Sequence, residues 1–221
     1  MREREGAALH RRVPALSADP GGLAEVVLVT LLLVSRLWRL ASHGGTGVLG
    51  WLTTLLICSF YALIVWCYLR RGPAVATSQS VTAHAAALIA TLVPFVFPLL
   101  PGKLPGISQQ LAADTLLAAG TAWAVWSLVF LGRNLSILAQ ARGVANRGPY
   151  RWVRHPLYTG ELVSALGVAL TVGSAAAMAV WLALCGLQIY RAAREEQLLL
   201  RALPEYRDYR RRTAALLPGI F

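Results

Sequence analysis

The sequence predicts an all-α integral membrane protein with about six transmembrane helices. Hydrophobic residues make up 57% of the 221 residues and charged residues only 14%, whereas about a quarter of the residues of a soluble domain are charged. The apolar residues form separate runs of roughly 16 to 22 residues, close to the length that a helix needs to cross a bilayer. The connections between these runs differ sharply in their content of arginine. Together these features place most of the chain in a membrane.

The apolar runs define four helices in the first part of the chain. Residues 1–21 are polar and rich in arginine, so we expect a tail there rather than a cleavable signal peptide. Residues 22–131 then form a region of four transmembrane helices, which we place at roughly 22–41, 48–69, 81–100 and 111–131.

The remaining residues, 132–221, form a region of different character. A long polar loop at 132–156 leads to two shorter apolar runs at roughly 157–172 and 175–190. Only Gly173 and Ser174 separate these runs, which predicts a tight antiparallel helical hairpin. A charged, amphipathic tail at 191–221 follows.

The positions of the basic residues predict the orientation in the membrane. Of the 21 lysines and arginines, 18 lie in the two tails, the 70–80 loop and the 132–156 loop, and only Arg36, Arg39 and Lys103 lie elsewhere. Six crossings put all 18 on one side, which the positive-inside rule identifies as the cytoplasm. The high content of alanine, arginine and glycine fits a bacterium with a GC-rich genome, so we expect the inner membrane, with both termini cytoplasmic. This placement explains the net charge of +11 without a nucleic-acid partner.

Several function classes lose support because their motifs are missing from the sequence. No Walker A sequence, GxGxxG after a strand, GxSxG elbow or HExxH is present. The three cysteines, Cys58, Cys67 and Cys185, lie in apolar runs without metal-ligand spacing. We therefore expect no metal site. Nothing in the sequence indicates an obligate protein partner.

Residues 147–160 are the densest polar and aromatic passage of the chain and the first candidate site. Pro156 lacks an N–H and disfavours helical backbone at His155, so a helix should begin at this proline. The free amides of such a helix start attract a negative group. A lone histidine is more often structural or interfacial, but the polar and aromatic neighbours of His155 strengthen the case for a ligand-binding role.

Acidic residues provide a second candidate cluster. Glu195 and Glu196 follow the last apolar run, where a carboxylate can hold a cationic or hydroxyl-bearing ligand, or can simply pair with Arg191 and Arg194 on a solvated helix. Glu161 lies in the first turn after Pro156, either as a favourable charge at a helix start or as a site residue. In the tail, two tyrosines and an arginine run favour an anchor at the membrane surface: Tyr206, Tyr209, Arg210, Arg211 and Arg212.

The stretch 148–160, with the pattern RHPxYxG, a helical hairpin and then Glu195-Glu196, resembles the isoprenylcysteine carboxyl methyltransferase family. The wider group includes the phospholipid N-methyltransferases. The resemblance covers roughly residues 130–221 and extends to Glu205, the Tyr206–Tyr209 segment and Leu217-Pro218. It implies an integral membrane methyltransferase that uses S-adenosylmethionine and methylates a lipophilic, lipid or prenyl-type acceptor in contact with membrane lipids.

The resemblance also implies roles for individual residues. The cofactor pocket would be lined by Gly148, Tyr150, His155, Pro156, Tyr158, Gly160, Glu195 and Glu196. Arg154, His155 and Glu196 would act in catalysis, and the acceptor would be bound by Arg151, Arg154, Glu161 and Arg194. Since methyl transfer is an in-line displacement, positioning supplies most of the catalysis. A carboxylate acceptor needs no general base and can be held by an arginine. An amine or a phenol would need proton removal, for which Glu161 or a tyrosine is a candidate.

Two other functions remain open on the sequence. Membrane sterol-type reductases that use NADPH have a similar RHPxYxGE run and a similar end to Pro218-Gly-Ile-Phe221, although Leu157 stands where they usually carry asparagine. A non-enzymatic membrane protein that keeps the fold is the third possibility. The Glu195-Glu196 pair favours the methyltransferase over the reductase.

Overall fold

The computed structural model describes residues 20–43, 47–136 and 140–217, and these residues are mostly helical. The predicted N-terminal tail and the end of the chain from Pro218 lie almost wholly outside these ranges. Seven α-helices occur in the described part of the chain: α1 Pro20–His43, α2 Gly47–Arg70, α3 Val81–Leu92, α4 Ile107–Leu131, α5 Pro156–Val172, α6 Ala175–Ala202 and α7 Tyr206–Arg212. Two short strands, β1 Ala76–Thr77 and β2 Gln140–Ala141, pair with each other.

Three of the described helices are long and apolar enough to cross a membrane: Gly47–Arg70, Ile107–Asn134 and Ala175–Ala202. Shorter apolar helical stretches cover Val26–Ser35, Val81–Phe95 and Pro156–Val172. α2 leaves large apolar side chains exposed around its surface, as a helix in contact with lipid does; they include Trp51, Leu52, Leu55, Trp66 and Leu69. The prediction of helices in a membrane fits this picture. Six crossings and the cytoplasmic side of the termini remain predictions.

Two of the expected helices have different bounds. The third was predicted as one helix over 81–100, but α3 ends at Leu92 and continues as 3-10 turns, Val93–Phe95 and Phe97–Leu99. Pro94 and Pro98 cause this change because a proline has no N–H to donate to the preceding turn. The sixth was expected to end near residue 190, but α6 runs on to Ala202. Glu195 and Glu196 therefore lie within a helix and not in a tail beyond it.

The hairpin of α5 and α6 forms as predicted. Gly173 ends α5 with a left-handed backbone (φ +65°), a conformation that glycine adopts without strain. Ser174 then begins α6 as its N-cap, with its side chain accepting a hydrogen bond from the amide of Ala177. These two residues form the whole connection between the two antiparallel helices.

The connections that were predicted to share one side of the membrane meet at one end of the helices. β1, in the 70–80 loop, pairs antiparallel with β2, in the 132–156 loop, and the Arg133 Nε donates to the Arg70 carbonyl at 3.1 Å. At the other end, the amide of Lys103 donates to the carbonyl of Val172 at 3.1 Å. Consecutive helices from α3 to α6 therefore run in alternating directions.

α4 and α5 make the closest helix packing in the molecule, and glycine permits it. A Cβ added at Gly160 would lie 2.8 Å from the backbone of Ala124 and from the Gly120 carbonyl oxygen. One added at Gly120 would lie 2.4 Å from the amide nitrogen of Ser164, and Gly167 meets Ala113 in the same way. Small residues at this spacing let two helix backbones touch, as in membrane helix pairs.

This packing predicts different costs for two helical glycines. Gly160→Ala forces the α4 and α5 backbones apart, so we expect a loss of about 1–3 kcal/mol of stability. The matched control is Gly186→Ala in α6, where an added Cβ meets nothing within 4 Å; alanine's higher helix propensity should leave stability unchanged or raise it by about 1 kcal/mol. Thermal unfolding in detergent measures both, and an unperturbed Gly160→Ala protein would contradict the packing role.

Candidate active site

The segment that contains Arg154, His155 and Pro156 is shaped by the glycine and proline that precede it. Gly148 has φ +57°, and a Cβ there would lie 2.4 Å from the ring of Phe130 at the end of α4. Pro149 then occupies the start of a 3-10 turn over Gly148–Arg151. Tyr150 lies in this turn and is 5% exposed. The backbone after the turn is extended up to the start of α5.

The extended segment is held by the end of the chain. Val153 forms a parallel bridge with Ala214. The amide of Arg154 donates to the Ala214 carbonyl at 2.8 Å, and the amide of His155 donates to the Ala215 carbonyl at 3.0 Å. The Thr159 hydroxyl donates to the Leu216 carbonyl at 2.9 Å. Residues 153–159 and 214–216, which are distant in the sequence, are therefore joined by hydrogen bonds beside the start of α5.

The imidazole of His155 lies between the two carboxylates of α6. Its Nε2 is 3.2 Å from Glu196 Oε1 and its Nδ1 is 3.8 Å from Glu195 Oε2. The ring is 6% exposed and stacks on the ring of Tyr158, with 5.4 Å between centroids and 7° between planes. The hydroxyl of Tyr158 donates to Glu195 Oε2 at 2.9 Å. The acid pair, the histidine and the tyrosine thus form one cluster.

Glu196 is surrounded by positive groups. Arg154 Nε donates to its Oε1 at 2.6 Å, and Arg210 Nε lies 3.1 Å from its Oε2. The side chains of Arg154 and Glu196 are only 8% and 10% exposed. Arg154 also donates through Nη1 to the carbonyls of Arg210 and Thr213. The charge-assisted bonds of this group clamp α7 and the residues after it onto the site.

Further polar contacts continue from the cluster between α5 and α6. The guanidinium of Arg191 lies 4.8 Å over the Tyr158 ring and donates to Gln188 Oε1 at 3.1 Å. The Gln188 amide in turn donates to Glu161 Oε2 at 2.7 Å. We call this row from Glu161 to Glu196 the polar seam. It gives the apolar hairpin one face that suits a charged ligand.

Three tyrosines next to the seam keep their protons. Burial raises the pKa of Tyr150 well above its usual value, and the nearby Glu195 adds to the effect. Burial and then Glu196 raise the pKa of Tyr206. Burial raises the pKa of Tyr209 to about 12, and its hydroxyl donates to the Tyr150 carbonyl at 2.6 Å. These phenols therefore act as neutral groups at any physiological pH, and none of the three is suited to be a base.

Comparison with known proteins identifies a family that resembles the part of the chain containing this site. Residues 108–205 match the model of the phospholipid methyltransferase family, a range that includes α4, the hairpin and the polar seam. Over these residues, which are less than half of the chain, the chain is similar to the phospholipid methyltransferase family. This similarity suggests a membrane methyltransferase.

Two curated relatives are similar to the chain over 108 residues each. The cobalt-zinc-cadmium resistance protein CzcN of Cupriavidus metallidurans is 36% identical, and the nickel-cobalt-cadmium resistance protein NccN of Alcaligenes xylosoxydans xylosoxydans is 35% identical. Each match covers 48% of this chain and 46% of the relative, so the chain spans about half the length of the relatives that it matches. Within the described residues, no three His, Cys, Asp or Glu side chains are grouped as a metal ion would require.

Several residues predicted for the methyltransferase site come together, and others do not. The polar seam contains His155, Tyr158, Glu161, Glu195 and Glu196, and Pro156 begins the helix beneath it. The α-carbons of Gly148 and Gly160 pack against Phe130 and α4, and the cofactor contacts predicted for these two glycines remain predictions. Tyr150 is buried beneath α7 and offers its carbonyl to Tyr209.

The three arginines predicted to bind the acceptor lie in three different environments. Arg154 contacts Glu196 and carbonyls of the C-terminal segment and so holds that segment in this structure, while its predicted role in acceptor binding remains a prediction. Arg194 is exposed on α6, where it lies over Tyr190 and donates to Gln197. It does not join the seam. Arg151 is exposed beside Trp152, on the side of the segment that faces α4.

Sequence reasoning missed the part played by the tail. Tyr206 is 2% exposed and Tyr209 and Arg210 contact the site, so the interpretation of these three as a membrane anchor is corrected. Gln188 and Arg191 were also missed as members of the seam. Arg191 lies one turn and Gln188 two turns before Glu195 on α6, and this spacing was the available signal because residues so spaced share a helix face.

The two adjacent acids of α6 should differ in their effect on stability. Glu196→Ala leaves Arg154 buried without its partner, so we expect a loss of about 3–5 kcal/mol and faster amide exchange over residues 206–217. Glu195→Ala removes one hydrogen bond from Tyr158 and should cost about 1 kcal/mol. Thermal unfolding and hydrogen exchange in detergent measure the difference. Equal losses of stability in the two variants would contradict the role of Glu196 in holding the C-terminal segment.

Proposed function

We propose that the protein is an S-adenosylmethionine-dependent methyltransferase that methylates a lipophilic acceptor, a carboxylate in the first instance, at the cytoplasmic face of a bacterial inner membrane. The observation that carries the proposal is the polar seam at one end of an apolar helical hairpin, in the part of the chain that matches the methyltransferase family. A water-soluble cofactor and a lipid acceptor can meet only at such a boundary.

The residues of the seam fit the proposed cofactor. S-adenosylmethionine carries a cationic amino acid group, and Glu195, with its side chain 26% exposed, is the more open of the two acids. Glu196 is already neutralised by Arg154 and Arg210. The rings of His155 and Tyr158 stack on each other beside Glu195, and aromatic rings at this position would attract a cation. Tyr206 adds a buried hydroxyl that has no partner among the described residues.

The proposal gives each of these residues a role. Glu195 would hold the ammonium end of the cofactor, His155 and Tyr158 would hold its aromatic and sulfonium parts, and Arg154 would keep the covering segment closed. When bound, S-adenosylmethionine supplies a methyl group on a positively charged sulfur, whose transfer to a carboxylate breaks one carbon–sulfur bond, forms one carbon–oxygen bond and moves no proton. The protein's contribution is then positioning and exclusion of water.

Glu161 is a candidate base for a second class of acceptor, the amines and phenols. Its carboxylate lies within the hairpin and accepts a hydrogen bond from Gln188 at 2.7 Å. An amine or phenol acceptor would lose a proton on methylation, and Glu161 is the acid of the seam that can receive it. Glu161→Gln therefore separates the two classes, because methylation of a carboxylate should not need its charge.

Calorimetric titration of the detergent-purified protein with S-adenosylhomocysteine tests the cofactor. We expect micromolar binding that weakens at least about tenfold in Glu195→Gln and in His155→Ala, because each change removes a charge-assisted or stacking contact. Glu205→Gln, an exposed acid at the start of α7, is the matched control and should bind normally.

A parallel titration with NADPH addresses the reductase alternative. Binding of NADPH in place of S-adenosylhomocysteine would overturn the proposal. Absence of binding to either ligand, by protein that unfolds cooperatively, would favour a non-enzymatic role.

A further inference from the structure

The hydroxyl of Tyr206 is a buried polar group without a hydrogen-bond partner among the described residues. Tyr206 begins α7 and is only 2% exposed. Buried side-chain donors normally have a partner, and one that lacks a partner needs an explanation, of which a bound ligand is one. The other tyrosine of α7 has its partner, since the Tyr209 hydroxyl donates to the Tyr150 carbonyl at 2.6 Å. The fold therefore keeps one donor of this helix in reserve.

Tyr206 lies beside the acid pair of α6. Burial raises the pKa of its phenol, and Glu196 and then Glu195 raise this pKa further, so both carboxylates are close to the hydroxyl. The phenol keeps its proton and can donate a hydrogen bond to an anionic oxygen. α7 thus adds a neutral donor to the end of the polar seam.

The charges around Tyr206 allow an anionic group to approach it. Glu196 bonds to Arg154 at 2.6 Å and to Arg210 at 3.1 Å, so two guanidinium groups compensate its single charge. Arg210 lies one turn after Tyr206 on α7, and half of its side chain is exposed. Together these three charged groups are net positive. A carboxylate beside Tyr206 therefore meets a donor and a surplus of positive charge.

The charge next to this position has the opposite sign. Glu195 contacts the Tyr158 hydroxyl at 2.9 Å and keeps 26% of its side chain exposed, so its charge is open to an ammonium group. An α-amino acid carries its ammonium and its carboxylate on one carbon atom, so the groups that bind them must be neighbours. Glu195 and Tyr206 are such neighbours, on α6 and α7. Their pairing suits a zwitterion better than a simple cation.

We propose that Tyr206 is a ligand-binding residue, whose hydroxyl donates to the carboxylate of the amino acid part of the cofactor while Glu195 holds the ammonium of the same part. The assignment rests on the proposed methyltransferase function and adds α7 to the cofactor site. Tyr206 positions the cofactor and takes no part in the exchange of bonds. A ligand with a complete amino acid group contacts α6 and α7 together, whereas one without the carboxylate contacts α6 alone.

Two ligands that differ only in this carboxylate test the assignment. The full chain in detergent is titrated calorimetrically with S-adenosylhomocysteine and with its decarboxylated counterpart, S-adenosyl-3-thiopropylamine, which keeps the ammonium. We expect the unaltered protein to bind S-adenosylhomocysteine at least about tenfold more tightly, because a hydrogen bond to a carboxylate is charge-assisted. Tyr206→Phe removes only the hydroxyl, so it should abolish this preference and leave the affinity for the decarboxylated ligand unchanged.

Two further variants are matched controls. Tyr209→Phe removes the other hydroxyl of α7 and loosens its contact with Tyr150. It should change the affinity for both ligands by the same factor and keep the preference. Glu195→Gln should weaken both ligands equally, because both carry the ammonium. A preference in Tyr206→Phe equal to that of the unaltered protein would overturn the assignment.

Hydrogen exchange of the unaltered protein gives a test that does not depend on the folding of a variant. At equal saturation, S-adenosylhomocysteine should slow amide exchange over Tyr206–Arg212 severalfold more than the decarboxylated ligand does. Equal protection by the two ligands would overturn the role of Tyr206. The two proposals fail in different ways: absence of S-adenosylhomocysteine binding overturns the proposed function itself, whereas binding without preference for the carboxylate overturns only the assignment of Tyr206.

Discussion

The buried charge cluster around Glu196 is the interaction on which the site depends. One carboxylate joins three elements that are far apart in the chain, through Arg154 before α5, Arg210 on α7 and its own position on α6. Buried ion pairs often add little net stability, because desolvation offsets their attraction. Their value here is positional, since each partner fixes where the others lie. The extended backbone of Arg154 and His155 pairs with residues 214–215, and the same arginine side chain holds the carbonyls of Arg210 and Thr213.

Two different kinds of packing support this cluster. Towards the apolar body, α4 and α5 touch through Gly120, Gly160 and Gly167, where no side chain larger than hydrogen fits. Towards the loops, the site is closed by backbone hydrogen bonds of the C-terminal segment and by β1 and β2. The first packing is rigid. The second rests on a short segment tied down by a few charged and polar contacts, so it is the side on which a ligand can enter with the least rearrangement.

The sequence was sufficient for the features that depend on local chemistry. Pro156 predicted the start of α5, Gly173 and Ser174 predicted the hairpin turn, and the RHPxYxG run with the acid pair predicted the family. It was insufficient where position depends on distant partners. Nothing near Arg154 in the chain shows that Glu196 and Thr213 will occupy its guanidinium. The burial of Tyr206 and the pairing of Arg210 likewise need the fold, because an arginine-rich helix after an apolar run looks the same whether it meets lipid or protein. Gly160 shows a similar ambiguity, since a motif glycine can serve a ligand or a neighbouring helix.

The two acids of α6 divide between holding the fold and remaining open to a ligand. Glu196 is enclosed by Arg154 and Arg210, whereas Glu195 contacts His155 and Tyr158 and keeps 26% of its side chain exposed. If the seam binds a cationic cofactor as proposed, the charge of Glu195 is the one that remains to attract it. The order of the RHPxY sequence places His155 and Tyr158 one turn apart at the start of α5, and their rings stack beside the same carboxylate. Because methyl transfer is an in-line displacement, an acceptor would have to contact the sulfonium directly and would therefore have to approach this same cluster.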